Sequence, residues 1–168
     1  SQGGGVYAAN SSSLTNCAIT NCSGSDGGGV YAASSALTNC AVMNNSSAYG
    51  GGVYATSSSL NNCALTNNVG NGTNGYGGGI YMSSSTMRGC ALSNNGTTQY
   101  GAYGGGAYAD TSTILNCLFQ NNMATYSNAT GGGVYVYDSS RCYNVTCAMN
   151  KATTGDNFYL TTNSQILY

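Results

Sequence analysis

Apolar and polar positions along the chain follow a figure that returns six times. Its opening phrase is three glycines, an apolar residue and tyrosine: GGGVY, GGGVY, GGGVY, GGGIY, GGGAY and GGGVY. The triplets begin at Gly3, Gly27, Gly50, Gly77, Gly104 and Gly131, so the spacings are 24, 23, 27, 27 and 27 residues. Each is answered further along by a second phrase, apolar-x-Asn-Cys-x-apolar-x-Asn-Asn. In the third repeat, alternation with a period of two puts Val53 and Ala55 on one face of a strand and Tyr54 on the other. A Ser/Thr turn follows, then a second strand with Leu60 inward. Asn62 marks a corner, Cys63 and Leu65 point inward again, and Asn67-Asn68 closes the coil.

The other repeats fit the same template. The inward set is Val6, Val30, Val53, Ile80, Ala107, Val134 and Phe158, and the outward set is Tyr7, Tyr31, Tyr54, Tyr81, Tyr108, Tyr135 and Tyr159. Leu14, Leu37, Leu60, Met87 and either Ile114 or Leu115 share the next apolar slot. Cys17, Cys40, Cys63, Cys90 and Cys117 share a thiol slot, and Ile19, Val42, Leu65, Leu92 and Phe119 the one after it. In the sixth coil Cys142 takes the leucine slot, Val145 the thiol slot and Cys147 the isoleucine slot. A period of this length, built from short strands, is the mark of a solenoid. The expected fold is therefore all-β: a single-stranded right-handed parallel β-helix of about six to seven coils, with 23–27 residues per coil. The hand is that of parallel crossovers. One domain, 1–168, contains coils starting near 3, 27, 50, 77, 104 and 131 and a partial coil from 155, with Leu160 and Ile166 inward.

Composition narrows the function. The 168 residues include only 3 Lys+Arg and 4 Asp+Glu, no His, no Pro and no Trp. No basic cluster exists to meet a phosphate backbone, which excludes nucleic acid. No apolar run approaches the roughly 20 residues that span a bilayer. A near-neutral surface resists association poorly, which suits a subunit of an assembly. The chain begins at Ser1 without Met, as expected of a mature form or an excised segment. The eight cysteines lack paired zinc spacing, and no His completes a metal site. No cofactor is expected.

The pairing of GGGVY with FQNN (Phe119-Gln120-Asn121-Asn122) resembles the repeats of chlamydial-type polymorphic outer membrane proteins. These carry GGA[IV] and FxxN motifs within the pectin-lyase-like set of right-handed β-helices. This chain departs from them in its third glycine, its nearly constant tyrosine and its mostly aliphatic residues at the family's Phe. The resemblance implies a surface-exposed or secreted protein with an adhesive or structural role; it does not imply an activity.

Four surface features carry candidate chemistry. The outward tyrosines form a ladder, with a second, shorter one at Tyr49, Tyr76 and Tyr103. A bare glycine strip is expected between them, suited to a glycan or another sheet face. The cysteines Cys17, Cys40, Cys63, Cys90 and Cys117, with Cys22, Cys142 and Cys147 breaking the column, admit two readings. One is disulfides between adjacent rungs or between molecules; the other is a stack of buried thiols acting as small apolar residues. Glycosylation sequons occur at Asn10, Asn21, Asn44, Asn45, Asn71, Asn95, Asn128 and Asn144. Asn71 and Asn128 lead, because they fall in the loops Val69–Tyr76 and Met123–Thr130. Lastly, Asp110, Asp138 and Arg141 occupy neighbouring offsets in consecutive coils. They are the one conceivable catalytic cluster in a chain otherwise without the facing carboxylates of glycosidases.

The leading expectation is an extracellular or cell-surface structural protein, not an enzyme. Neither end shows a helical or charged cap, which reads as a piece of a longer β-helix or as ends that stack. The partner is then the chain itself, in a head-to-tail homopolymer, with glycans, covalent or bound, as further partners. A surface adhesin or carbohydrate-binding β-helix fragment is the alternative, and a polysaccharide lyase or hydrolase comes last.

Overall fold

The computed structural model describes residues 1–168 and contains strands but no helix. Every strand pairing is parallel, and four sheets run the length of the solenoid. The first sheet has seven strands: Val6–Ala8, Val30–Ala33, Val53–Thr56, Ile80–Ser83, Ala107–Asp110, Val134–Tyr137 and Phe158–Leu160. The second, also of seven, runs from Ser13–Thr15 to Gln165–Leu167, and the third, of six, from Ala18–Thr20 to Thr146–Ala148. The fourth has five two-residue strands, from Ser46–Ser47 to Lys151–Ala152. At about 4.8 Å per rung, seven rungs make a rod roughly 30 Å long.

The register is the one that the repeat dictates. Val6, Val30, Val53, Ile80, Ala107, Val134 and Phe158 stand in one column, and the seven tyrosines in the next. Ile114 occupies the inward slot between Met87 and Cys142, which leaves Leu115 on the outside. Cys147 pairs with Phe119 in the isoleucine slot. These columns form a core of 25 buried residues.

Four corners turn each coil, and each turns on one residue with left-handed backbone. In the third coil these are Gly50 (φ 60), Ser57 (φ 49), Asn62 (φ 52) and Asn67 (φ 55). Asparagine tolerates this conformation better than most side chains, which explains why Asn39, Asn62 and Asn116 recur at one corner and Asn44, Asn67, Asn94 and Asn121 at another. A corner interrupts the ladder, so the residue just after it needs a new acceptor for its buried N–H. At three corners a side chain one rung along supplies it. Ser58 N–H donates to Ser85 Oγ at 3.0 Å, Cys63 N–H to Cys90 Sγ at 3.3 Å, and Asn68 N–H to Asn95 Oδ1 at 3.0 Å.

The fourth corner has no room for a side chain. A Cβ on Gly51 would strike the Gly78 carbonyl oxygen and the Val69 backbone, and one on Gly52 would come within 2.7 Å of the Gly79 carbonyl and 2.8 Å of the Asn68 amide. Gly29, Gly79, Gly106 and Gly133 lie in the same way against Asn45, Asn95, Asn122 and Asn150. The two repeated phrases therefore touch: the third glycine leaves the space that the buried asparagine fills.

Candidate functional surface

The first sheet presents its tyrosine column to the outside as a continuous stack. Successive rings from Tyr7 to Tyr159 lie 4.6–5.4 Å apart, with planes within 2–14° of parallel. The shorter ladder stacks likewise, Tyr49 on Tyr76 at 5.6 Å and Tyr76 on Tyr103 at 5.4 Å. No open glycine strip separates the two. The triplets from Gly27 to Gly133 are buried, and Tyr76 leans on Tyr108 at 4.6 Å and Tyr103 on Tyr135 at 4.9 Å. The expected groove is closed because Tyr76 and Tyr103, paired in register just before the glycines, lean across the corner onto the main ladder. Tyr108 and Tyr135 become buried at 8% and 9% exposure, while Tyr7 keeps 59%. Burial first, then neighbouring phenols, pushes the Tyr54 and Tyr135 hydroxyls up to about 12.

Two depressions remain on this face. One, of about 240 Å³, is bounded by Asp26, Tyr49, Tyr54, Tyr76 and Tyr81. The other, of about 230 Å³, is walled by Tyr76, Tyr103, Tyr108, Tyr135 and Tyr137. Around the corner, beside the second sheet, an open groove of about 480 Å³ is lined almost wholly by hydroxyls, from Ser11 to Thr86. The Ser/Thr-rich turns hint at it in the sequence, but alternation does not say which serine of each run turns inward.

All eight cysteines are thiols in the structure. Their column is a set of corner acceptors rather than inert filler: Cys90 Sγ accepts from Cys63 N–H and lies 3.4 Å from the Arg88 carbonyl it donates to. Cys22 stands in the asparagine slot of the first coil, its N–H donating to Asn45 Oδ1 at 2.9 Å. Bonds from Cys117 and Cys63, together with burial, push the Cys90 thiol far up. Burial pushes Cys142 and Cys147 up to about 12.

The sequons divide sharply. Asn10, Asn21, Asn44, Asn71, Asn128 and Asn144 are exposed. Asn45 and Asn95 are each 1% exposed, and each uses Nδ2 twice inside the ladder, so neither amide can take a glycan in the folded chain. The buried asparagine column, which the sequence alone does not mark as such, thus claims two of the candidates.

The acidic residues stand at neighbouring offsets of consecutive rungs, the Thr111 N–H donating to the Asp138 carbonyl at 3.1 Å. Asp110 is the rung neighbour of Tyr137, not of Asp138, and its Oδ1 accepts from the Thr111 hydroxyl at 3.0 Å. Asp138 lies at the corner with left-handed backbone, its Oδ1 accepting from Ser139 Oγ at 3.4 Å. Arg141 begins the next strand, beside Thr113 and Gln165.

Continuous parallel sheets, side-chain columns in register and a corner code repeated rung by rung define a β-solenoid repeat protein. Residues 1–152 match the family described as "Right handed beta helix region", and the chain belongs to that family. No curated protein matches it in sequence. Among solved structures, full-length QnrB1, a plasmid-mediated fluoroquinolone resistance protein, is similar over 92% of this chain and 93% of that one, at 10% identity and a TM-score of 0.25. A trypsin-treated variant of QnrB1 is similar over 96% and 91%, at 11% identity and a TM-score of 0.25. Neither likeness bears on function.

Proposed function

We propose that the protein is an extracellular or cell-surface structural rod that extends by stacking coil on coil between copies. One observation carries this reading: at three corners the amide of one rung is accepted by the same side-chain type in the next. The interior coils therefore template one another, and a contact that repeats head to tail without closing builds a filament. The nearly uncharged exterior supports the same reading, since 3 cationic and 4 acidic side chains offer little repulsion between copies. The likeness of GGGVY and FQNN to polymorphic outer membrane protein repeats supports the surface location. The reading assigns the chain no catalytic step, in keeping with its 4 acidic side chains, of which Asp110 and Asp138 each accept from an adjacent hydroxyl.

Electron microscopy of the purified chain across a concentration series is the test. Unbranched filaments, more numerous as concentration rises, with an axial repeat near seven rungs (about 30 Å from the strand spacing) are expected. Short monomers that persist at every concentration would overturn the proposal.

A further inference from the structure

We infer that the depression bounded by Tyr49, Tyr54, Tyr76, Tyr81 and Asp26 binds a methylated ammonium group, the chemistry of choline and its headgroups. Its volume of about 240 Å³ is below the roughly 300–1,000 Å³ of pockets for drug-sized ligands, so it takes a small group. Its walls are two stacked pairs. Tyr49 and Tyr76 lie 5.6 Å apart at 21°, and Tyr54 and Tyr81 lie 4.6 Å apart at 14°. Tyr54, Tyr81 and Tyr76 stack on their other sides too, against Tyr31, Tyr108 and Tyr103. Carbon atoms in contact sit about 3.5–4.0 Å apart, so stacks with these centroid spacings are offset and leave a strip of each face uncovered. The two walls meet at 57°, with Tyr76 and Tyr81 6.1 Å apart. A cation seated between them meets ring faces from two directions.

Charge selects the occupant. Asp26 lines the depression, and its carboxylate adds to the rise of the Tyr54 hydroxyl after burial and the neighbouring tyrosines. The cationic side chains lie on other faces: Arg88 and Arg141 on the second sheet and Lys151 on the fourth. An aromatic wall beside an acid attracts a cation that can shed water. A methylated ammonium does so readily, whereas a bare ammonium is strongly hydrated. This inference is independent of filament formation.

Calorimetric titration with choline tests it, against 3,3-dimethylbutan-1-ol (the same shape without charge) and cellobiose. Saturable choline binding is expected, with the neutral isostere at least tenfold weaker. Tyr49→Leu keeps apolar bulk at a position already 36% exposed, and should weaken choline roughly three- to tenfold by removing one ring. Asp26→Asn should weaken it roughly fivefold. Circular dichroism verifies that both variants fold. Retention of the wild type, but not Tyr49→Leu, on phosphatidylcholine rather than phosphatidylglycerol vesicles would assign a lipid headgroup. Choline binding without retention would assign a soluble ligand. The inference fails if choline does not saturate, if the isostere or cellobiose binds as tightly, or if neither variant changes affinity.

Discussion

Replacing Asn95 by leucine strikes the asparagine column at its centre. Asn95 Oδ1 accepts from the N–H and Nδ2 of Asn68, both at 3.0 Å, and its Nδ2 donates to the Leu65 carbonyl at 2.9 Å and to Asn122 Oδ1 at 3.0 Å. Leucine removes all four bonds. The Asn68 N–H has no other acceptor, and a buried orphan donor costs about 1–3 kcal/mol; the other three bonds contribute about 0.5–1.5 kcal/mol each. Burying the leucine offsets roughly 1.5–3 kcal/mol, leaving a loss near 3 kcal/mol from a domain total of about 5–15. Urea unfolding followed by circular dichroism measures it. Asn94→Gly is the control, since Asn94 is exposed with φ 55 and glycine adopts that backbone freely. Asn95→Asp adds a second readout. Ionised, it faces the Leu65 and Asn122 oxygens without a donor, so folding raises its pKa above the usual value of about 3.9. A raised pKa gives stability that is present in acid and lost as pH climbs through the folded value. That variant should be more stable at low pH than at neutral pH. The reasoning fails if Asn95→Leu costs no more than Asn94→Gly, or if Asn95→Asp is indifferent to pH.

Gly78→Ala should prevent folding or destabilise severely, because its Cβ would strike the Gly96 and Gly105 carbonyls. Gly96→Ala should be mild, since the nearest atom lies at 3.1 Å and Val69 and Met123 occupy the same column; soluble yield and melting temperature separate the two. Burial raises Cys142 and Cys147 from 9.0, and Tyr54 and Tyr135 from 10.0, to about 12. These groups hold their protons in the fold, so stability is full below pH 9.0 and falls as pH rises toward 12; an alkaline titration of ellipticity should show this, with Cys142→Val shifting the loss upward. Expressed in a glycosylating host, the chain should carry glycans only at exposed sequons, Asn71 and Asn128 first. Peptide mapping that finds a glycan on Asn45 or Asn95 of folded protein would contradict the buried column.

Much of the solenoid is legible because its strands obey a period of two. Val53, Tyr54 and Ala55 give their own facing, and the repeat then gives the register of every rung. What alternation cannot show is the corners. Ser57, Ser58 and Ser59 are the same letter three times, yet the first has left-handed backbone, the second is a buried acceptor and the third begins a strand. Only a neighbouring rung distinguishes them. The same blindness leaves the cysteine column open between disulfides and buried thiols, when Cys90 and Cys117 do for their corner what Ser58 does for another. It also hides why GGG and NN travel together, since that contact joins residues such as Gly52 and Asn68 across a closed turn. The tyrosine face is half legible: both columns follow from the repeat, but the lean of the Tyr76 ring onto Tyr108 across the corner is not encoded by a period.

The corner columns also give the rod a direction. In the serine, cysteine and asparagine columns alike, the amide belongs to one rung and the accepting side chain to the next rung toward the C-terminus. The same side chains also donate back toward the N-terminus, but there to carbonyls: Ser85 Oγ to Ala55 and Asn95 Nδ2 to Leu65. Toward the C-terminus a coil thus offers corner amides, and two copies meeting by that side would set donor against donor. Each buried mismatch would cost about 1–3 kcal/mol, enough in sum to exclude the symmetric contact. In the proposed filament every copy would then point the same way. Such a filament leaves the tyrosine face of each copy uncovered and in line with the next, so an aromatic cation site would recur once per subunit along a single side.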